Sequence, residues 1–474
     1  MNPQLKPVEK KRIPPTAVDV QNLLAAIRKV EQRHKVRIPH DNRQTEAPDN
    51  SPTRNPLRLR EVLDALAAFC VSKPKETIAI SVEWKQLPEM RIVLFIANND
   101  EVEDETQRHL GDMWRLMQAM ASVYRQNLLD SEKDSELEDL SHRFSELCLN
   151  FSFDKWKHRL NSKLSALLSI SIVDLPDTDP FLAARQHILG LALLYTRENA
   201  KIGKPEDRVK WRQFTVYLRE TQDAIEAFLQ TEPFHGPNSG RFVEFPALEK
   251  YLRKVTTPLN QLNALKAATR SPQCRKLFMC PFDIKALSST AKVATVPNTA
   301  KDWEGVFEMA ASVHREEYLM DMDVVTEECQ HIAREAVRRH VSVHAEVKLA
   351  VHAIQTKNES YTYIGVSKLS CRGCQVFLSA LNAVHNKRFF TKGSHGKCYY
   401  PWQFPQNFYC SEMVAAKAYR SLAESWVSTY HGYRLKPVDS SAKSYKPTPE
   451  TGLRKPGENF ISLNDLVNAM SDEE

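Results

Sequence analysis

The feature that most constrains this chain is its shortage of glycine: 13 residues in 474, under half of an average usage of about 7%. So few glycines cannot supply the left-handed turns of a β-rich architecture, nor the loops that lay backbone N–H groups against phosphates. Helix is therefore expected to dominate. From Asp104 to about Arg339 apolar residues return at three- and four-residue intervals, as in Leu110, Met113, Trp114 and Met117, then Leu137, Leu140, Phe144 and Leu147. Stripes of this kind face a core and carry no chemistry.

A length of 474 residues exceeds what one hydrophobic core holds, so two or three domains, or one domain with a large insertion, are expected. With 42% hydrophobic and 26% charged residues the chain has the composition of a soluble globular protein. No run approaches about 18 apolar residues, and no apolar segment follows the charged start. The expectation is an intracellular protein, cytoplasmic or nuclear, neither secreted nor transmembrane. Nine cysteines, odd in number and scattered, read as free thiols plus one metal site, not as a disulfide framework.

Texture divides the chain into five stretches. Residues 1–56 read as a mostly flexible arm carrying one amphipathic stretch, Val18 to Leu24. Residues 57–103 read as a helix over Leu57 to Val71 followed by a hairpin of Thr77 to Trp84 and Arg91 to Ala97. Residues 104–340 form the helical region, whose length offers a surface for a protein partner. In 341–432 a helix opens at His344, a strand runs from Tyr361 to Val366, and a helix runs from Cys371–Cys374 to Val384. A strand near Arg388 to Thr391, a loop with Gly393 and Gly396, and a helix from Ser411 to Tyr430 follow. Residues 433–474, rich in Pro, Ser, Lys and Glu, read as a flexible tail.

The chemistry concentrates in 341–432. His344-Ala345-Glu346 and, after a strand, Cys371-Arg372-Gly373-Cys374 supply three zinc ligands, His344, Cys371 and Cys374, and leave a coordination position open. Glu346, two residues from His344, cannot share its helix face and stays off the metal, within reach of a water beside it. The cysteines open a helix, where free backbone N–H groups and the dipole lower a thiol pKa. The rival reading is a closed structural zinc site in which Cys398 or His395 supplies a fourth ligand.

The order H-x-E, then C-x-x-C, is the signature of zinc-dependent cytosine and adenine deaminases, with Ser370 where proline is usual. Together with Ile364 to Cys371, Gly393-Ser394-His395-Gly396-Lys397 and Trp402, the segment closely resembles the toxin-type (Orientia and fungal, OTT-like) deaminase family of the zinc-dependent nucleic acid and nucleotide deaminase superfamily. The resemblance covers about 343 to 405. It implies an α/β/α deaminase-like sandwich, Zn²⁺ as cofactor, and Glu346 as the catalytic acid–base. It also implies a helix and hairpin ahead of the His-x-Glu helix. Residues 57–103 have that order and end in Asn98 and Asn99, where deaminases often place a substrate-contacting asparagine. Either 57–103 and 341–432 form one catalytic domain split by a helical insertion, or 57–103 belongs to a separate unit.

Lys368, Ser370, His395 and Trp402 complete the candidate substrate contacts. His395 with Ser394 either meets substrate or caps a glycine turn; Trp402, with Tyr399 and Tyr400, either stacks on a nucleobase or lies in the core. From Val341 to Trp402 eight Lys and Arg stand against two acids, an excess that favours a phosphate-bearing partner. The expected substrate is RNA or single-stranded DNA, or a nucleoside or nucleotide, with no membrane partner. The rival class is a catalytically inactive deaminase-like or structural-zinc interaction module.

Overall fold

The computed structural model describes residues 14–34, 57–85, 90–126, 130–170, 175–197, 208–230, 248–289, 292–293, 296–313, 322–335, 340–356, 361–399 and 401–434. The expected tail from 435 onward, and most of the expected arm, lie outside these residues. The described elements are α1 (Ala17–His34), α2 (Leu57–Phe69), β1 (Ile78–Lys85), β2 (Arg91–Asn98), α3 (Asp104–Arg125), α4 (Asp130–Phe151), α5 (Phe153–Asn161), α6 (Leu164–Leu168), α7 (Pro180–Arg197), α8 (Arg208–Leu229), α9 (Leu248–Arg270) and α10 (Pro272–Met279). Then follow β3 (Phe282–Leu287), β4 (Lys292–Val293), α11 (Ala300–Ala311), α12 (Met322–Glu335), β5 (His340–Val341), α13 (Ala345–Thr356), β6 (Gly365–Val366), α14 (Arg372–His385) and α15 (Ser411–Arg434). The protein is thus helix-rich with a small mixed sheet, compatible with the α/β class. No helix among the described residues is long and apolar enough to cross a membrane.

The chain divides into two compact units, one drawn from the stretches 50–288 and 359–368, the other from 1–49, 289–358 and 369–460. The first, the sheet unit, holds four strands in the order β3-β2-β1-β6. β1 and β2 pair antiparallel from Ile78↔Asn98 to Lys85↔Arg91 and are buried except at Lys85 and Arg91. Near-continuous burial is what their apolar runs dictate, since a strand covered on both faces need not alternate.

β3 pairs parallel with β2. It interrupts the stretch read from sequence as helical. Its own signal was present, because Phe282, Ile284 and Ala286 alternate with Asp283 and Lys285, but six residues are a weak voice among some 230 of helical period. α3 buries the stripe Leu110, Met113, Trp114 and Met117 that its periodicity predicts, with Trp114 edge-on to Phe278.

β6 pairs antiparallel with β1, and only at Gly365 and Val366 does the strand expected over Tyr361 to Val366 form a regular ladder. Before it the backbone is held singly: Tyr361 N–H donates to the Val82 carbonyl at 2.9 Å. The Asp64 carboxylate of α2 accepts from the Tyr363 hydroxyl at 2.6 Å and from Val366 N–H at 2.8 Å. Helix and strand approach so closely that a Cβ at Gly365 would lie 2.4 Å from the Leu63 carbonyl carbon.

The second, the motif unit, holds the His-Ala-Glu and Cys-x-x-Cys segments. α14 packs on α15, α13 lies beside α14, and α1 packs on α11 and α15. α1 extends well past the short stretch expected and buries Val20, Leu23, Leu24, Ile27 and Val30, a helical stripe. β5 pairs with β4, Lys292↔Val341 and Val293↔His340, just ahead of His344. Of the strand expected near Arg388 to Thr391 only a single bridge residue, Phe390, forms. Instead the Asn382 side chain of α14 takes both backbone groups of Phe389, donating from Nδ2 to its carbonyl at 3.0 Å and accepting its N–H on Oδ1 at 2.8 Å, which occupies the bonds a ladder needs.

Candidate active site

Two helix N-termini in the motif unit build the site. His344 stands just ahead of α13, where its carbonyl accepts the Lys348 N–H at 3.0 Å, and Glu346 lies in the first turn. Cys371 is the N-cap of α14, extended at φ −81°, ψ 169°, and Cys374 follows within the helix. Helix N-termini favour negative charge, so both ends suit thiolate and carboxylate.

The loop 391–397 holds the cysteine helix in place. Ser370 N–H donates to the Gly393 carbonyl at 3.0 Å, the His395 N–H to the Ser370 carbonyl at 3.1 Å, and the Arg372 N–H to the Lys397 carbonyl at 3.0 Å. Ser394 Oγ donates to the Ser370 carbonyl at 2.9 Å and accepts the Gly396 N–H at 3.0 Å. Gly393 at φ 111° and Gly396 at φ 69° occupy backbone conformations that favour glycine.

His344 Nδ1 lies 3.2 Å from Cys374 Sγ and 3.6 Å from Cys371 Sγ, and the sulfurs are 3.4 Å apart. All three residues are buried and form a group able to hold a metal ion. One imidazole and two sulfurs make a donor set that suits zinc. Protonation agrees. Burial works against a Cys371 thiolate, but the Cys374 thiol bonds to it and the His344 ring lies beside it, so its pKa falls well below the usual thiol range. Burial works against a charged His344, yet the Cys371 thiolate outweighs it and raises the imidazole. Burial, then Cys371, drives the Cys374 thiol well up. A cation bound here would displace protons from these groups, since its ligands must be a neutral imidazole and thiolates.

Glu346 is 3% exposed, and its Oε2 has no hydrogen-bond partner in the protein. A buried carboxylate oxygen without a donor is costly, and a water beside the three donors would satisfy it. Neither Cys398 nor His395 belongs to the three-donor group. Cys398 is buried, which pushes its thiol up, and His395 Nδ1 accepts the Lys397 N–H at 3.1 Å.

The other sequence candidates lie as follows. Ser370 is buried, its Oγ 3.2 Å from Thr391 Oγ1. Trp402 is 1% exposed, edge-on to Phe404, and its indole N–H donates to Cys374 Sγ at 3.3 Å. Asn98, Asn99 and Lys368 belong to the sheet unit. There the Asn98 amide donates to Glu76 Oε1 at 3.0 Å and to the Glu101 carbonyl at 3.3 Å, closing the turn after β2. Lys368 is exposed.

Two features were not placed by sequence reasoning. Tyr399 is 51% exposed, and its ring centroid lies 5.6 Å from that of His344; its position after Lys397 was legible, its outward face was not. Leu24 of α1 comes close to Gly373, between the two cysteines; only its apolar stripe hinted at a buried role.

No curated protein and no solved structure matches the chain. Residues 343–406 match the family model described as OTT_1508_deam:-like deaminase, a likeness that takes in both the His-Ala-Glu and the Cys-x-x-Cys segments.

Proposed function

We propose that the protein is a zinc-dependent hydrolytic deaminase that removes the exocyclic amine of cytosine or adenine in a nucleic acid or nucleotide. The observation that carries this reading is the unpaired, buried Oε2 of Glu346 beside a three-donor cluster. A structural zinc site has no use for such an oxygen, whereas a proton shuttle requires one. Bound by His344 Nδ1, Cys371 Sγ and Cys374 Sγ, zinc would supply Lewis-acid activation of a water, lowering its pKa toward about 7.

Glu346 takes one proton of that water as its oxygen bonds to the amidine carbon and delivers it to the adjacent ring nitrogen; it then passes the remaining proton of the added hydroxyl to the amine, so that the C–N bond breaks, ammonia departs and the hydroxyl oxygen stays on the ring as the carbonyl. Tyr399, exposed beside His344, offers a ring on which the base can stack. The α/β/α sandwich is part of the same proposal, with 57–103 and 341–432 as its two segments; the pairing of β6 with β1 supports it.

Among substrates we favour a polynucleotide. Lys387 and Lys397 are exposed and free to meet phosphates, whereas Arg372 is buried and donates to Ser425 Oγ. Mass spectrometry of cytidine, adenosine, RNA and single-stranded DNA after incubation with zinc-loaded protein tests the activity. Binding to a single strand should weaken with salt at a slope of about −0.7 per neutralised phosphate. Efficient turnover of a free nucleoside with no salt-dependent affinity for either polymer would overturn the substrate assignment. No product from any substrate would leave the interaction-module reading in its place.

A further inference from the structure

Trp402 is buried in the motif unit, and its indole N–H points at a sulfur of the candidate metal centre, 3.3 Å from Cys374 Sγ. Three contacts fix it there. Its backbone pairs with Ser342, two residues ahead of His344, and the Gln403 N–H donates to the Ser342 carbonyl at 3.0 Å. Phe404 meets the indole edge-on at 81°. The indole lies on Gly373, where a Cβ would be 3.0 Å from Cε2 and 2.9 Å from Cδ2, the latter closer than real Cβ atoms come. A single residue therefore ties the backbone entering the histidine helix to a sulfur of the cysteine helix, and it sets the residue type between the cysteines.

We infer that Trp402 is a positioning residue of the metal centre, whose N–H···S bond draws electron density from the Cys374 thiolate and keeps the held metal a stronger Lewis acid. The inference rests on the metal reading of His344, Cys371 and Cys374. Hydrogen bonds to a ligating group orient it and tune the metal, and their removal typically weakens metal binding about 10–100-fold. The glycine at 373 follows from the same geometry, because any side chain there displaces the indole.

Cobalt(II) titration of the full chain tests this, with the thiolate-to-cobalt charge-transfer band as the readout. Trp402→Phe keeps a ring against Gly373 and Phe404 but has no N–H. Cobalt should bind this variant about 10–100-fold more weakly. The band should move to longer wavelength, since a thiolate freed of its hydrogen bond gives up electrons more easily. A variant with unchanged band and affinity, beside a wild type that binds cobalt through thiolates, overturns the inference and leaves the metal centre standing. A wild type with no thiolate band overturns both. If Trp402→Phe does not fold, wild-type protein loaded with NMR-active cadmium decides: a scalar coupling between cadmium and one indole proton is expected, and its absence from every tryptophan overturns the inference.

Discussion

Glu346 holds a carboxylate oxygen out of water with no protein donor, an arrangement that costs about 1–3 kcal/mol and persists in a fold only where something else needs it. Glu346→Gln keeps the shape and removes the charge. It should retain a full complement of zinc by elemental analysis and melt no lower than the wild type. Deamination should fall by about 10²–10⁴, the usual contribution of a placed acid–base; a variant that loses its zinc would make Glu346 a ligand instead. His109 shows the same physics without chemistry. Stacked on Phe151 at 3.9 Å, its imidazole is pushed down to about 3 by burial, which outweighs its bond to the Phe69 backbone. A depressed folded pKa means that the unfolded chain binds the proton first. The stability His109 contributes is complete above about pH 6.5 and is lost as pH falls toward 3, at up to about 1.4 kcal/mol per pH unit. Urea denaturation should show wild type losing stability faster than His109→Leu between about pH 6.5 and 4.5; parallel slopes would mean that His109 takes up its proton while folded. At this scale the sequence was informative where spacing brings donors together, since His344, Cys371 and Cys374 form one buried group. It was silent on which way a ring or a guanidinium turns, so the outward Tyr399, the N–H of Trp402 and the buried Arg372 had to be seen.

Element by element, long stretches with one period were legible and short ones that borrow their partners were not. α3 and the β1–β2 hairpin follow from their apolar patterns, whereas β3 is six residues whose ladder exists only because β2 lies beside it. The segment 388–391 has strand-like residues, but Asn382 takes the bonds of Phe389. Tertiary context decided both cases. β6 is the sharpest instance, since its place depends on Asp64 and on the absence of a side chain at 365. Gly365→Ala would force a methyl group to 2.4 Å from backbone of α2, where no flexible side chain can yield. The helix or the strand must move, at a cost of about 1–3 kcal/mol or more. Equilibrium urea unfolding should show the loss as a lower midpoint, and an unchanged midpoint would mean that α2 and β6 are not seated as closely as described.

At the scale of the molecule, compact units and catalytic segments need not coincide: the units follow where contacts are dense, the proposed catalytic domain follows which segments share a sheet. β6, flanked in sequence by the two motif helices, is grouped with the sheet unit, and this is where the two divisions part. The motif unit also draws on the far end of the chain. α1 buries five branched aliphatic side chains, each worth about 1.5–3 kcal/mol, against a net stability for a typical domain of only about 5–15 kcal/mol. Its contacts reach the site as well, since Leu24 lies by Gly373 and Gln21 Oε1 accepts the Phe404 N–H at 3.4 Å, while Arg33 pairs with Glu328 of α12 at 3.1 Å. A chain beginning at residue 35 should therefore aggregate or bind no zinc, although every motif residue remains. One beginning at Val324 lacks both α1 and β1, leaves β6 without its partner, and should aggregate as well. Size-exclusion chromatography and zinc content of the two truncated chains beside the full one check this. If the chain from residue 35 is monomeric, melts with the full protein and holds the same zinc, α1 is dispensable; if the one from Val324 does so, the motif segment also folds without the strand that the proposed sandwich assigns to it.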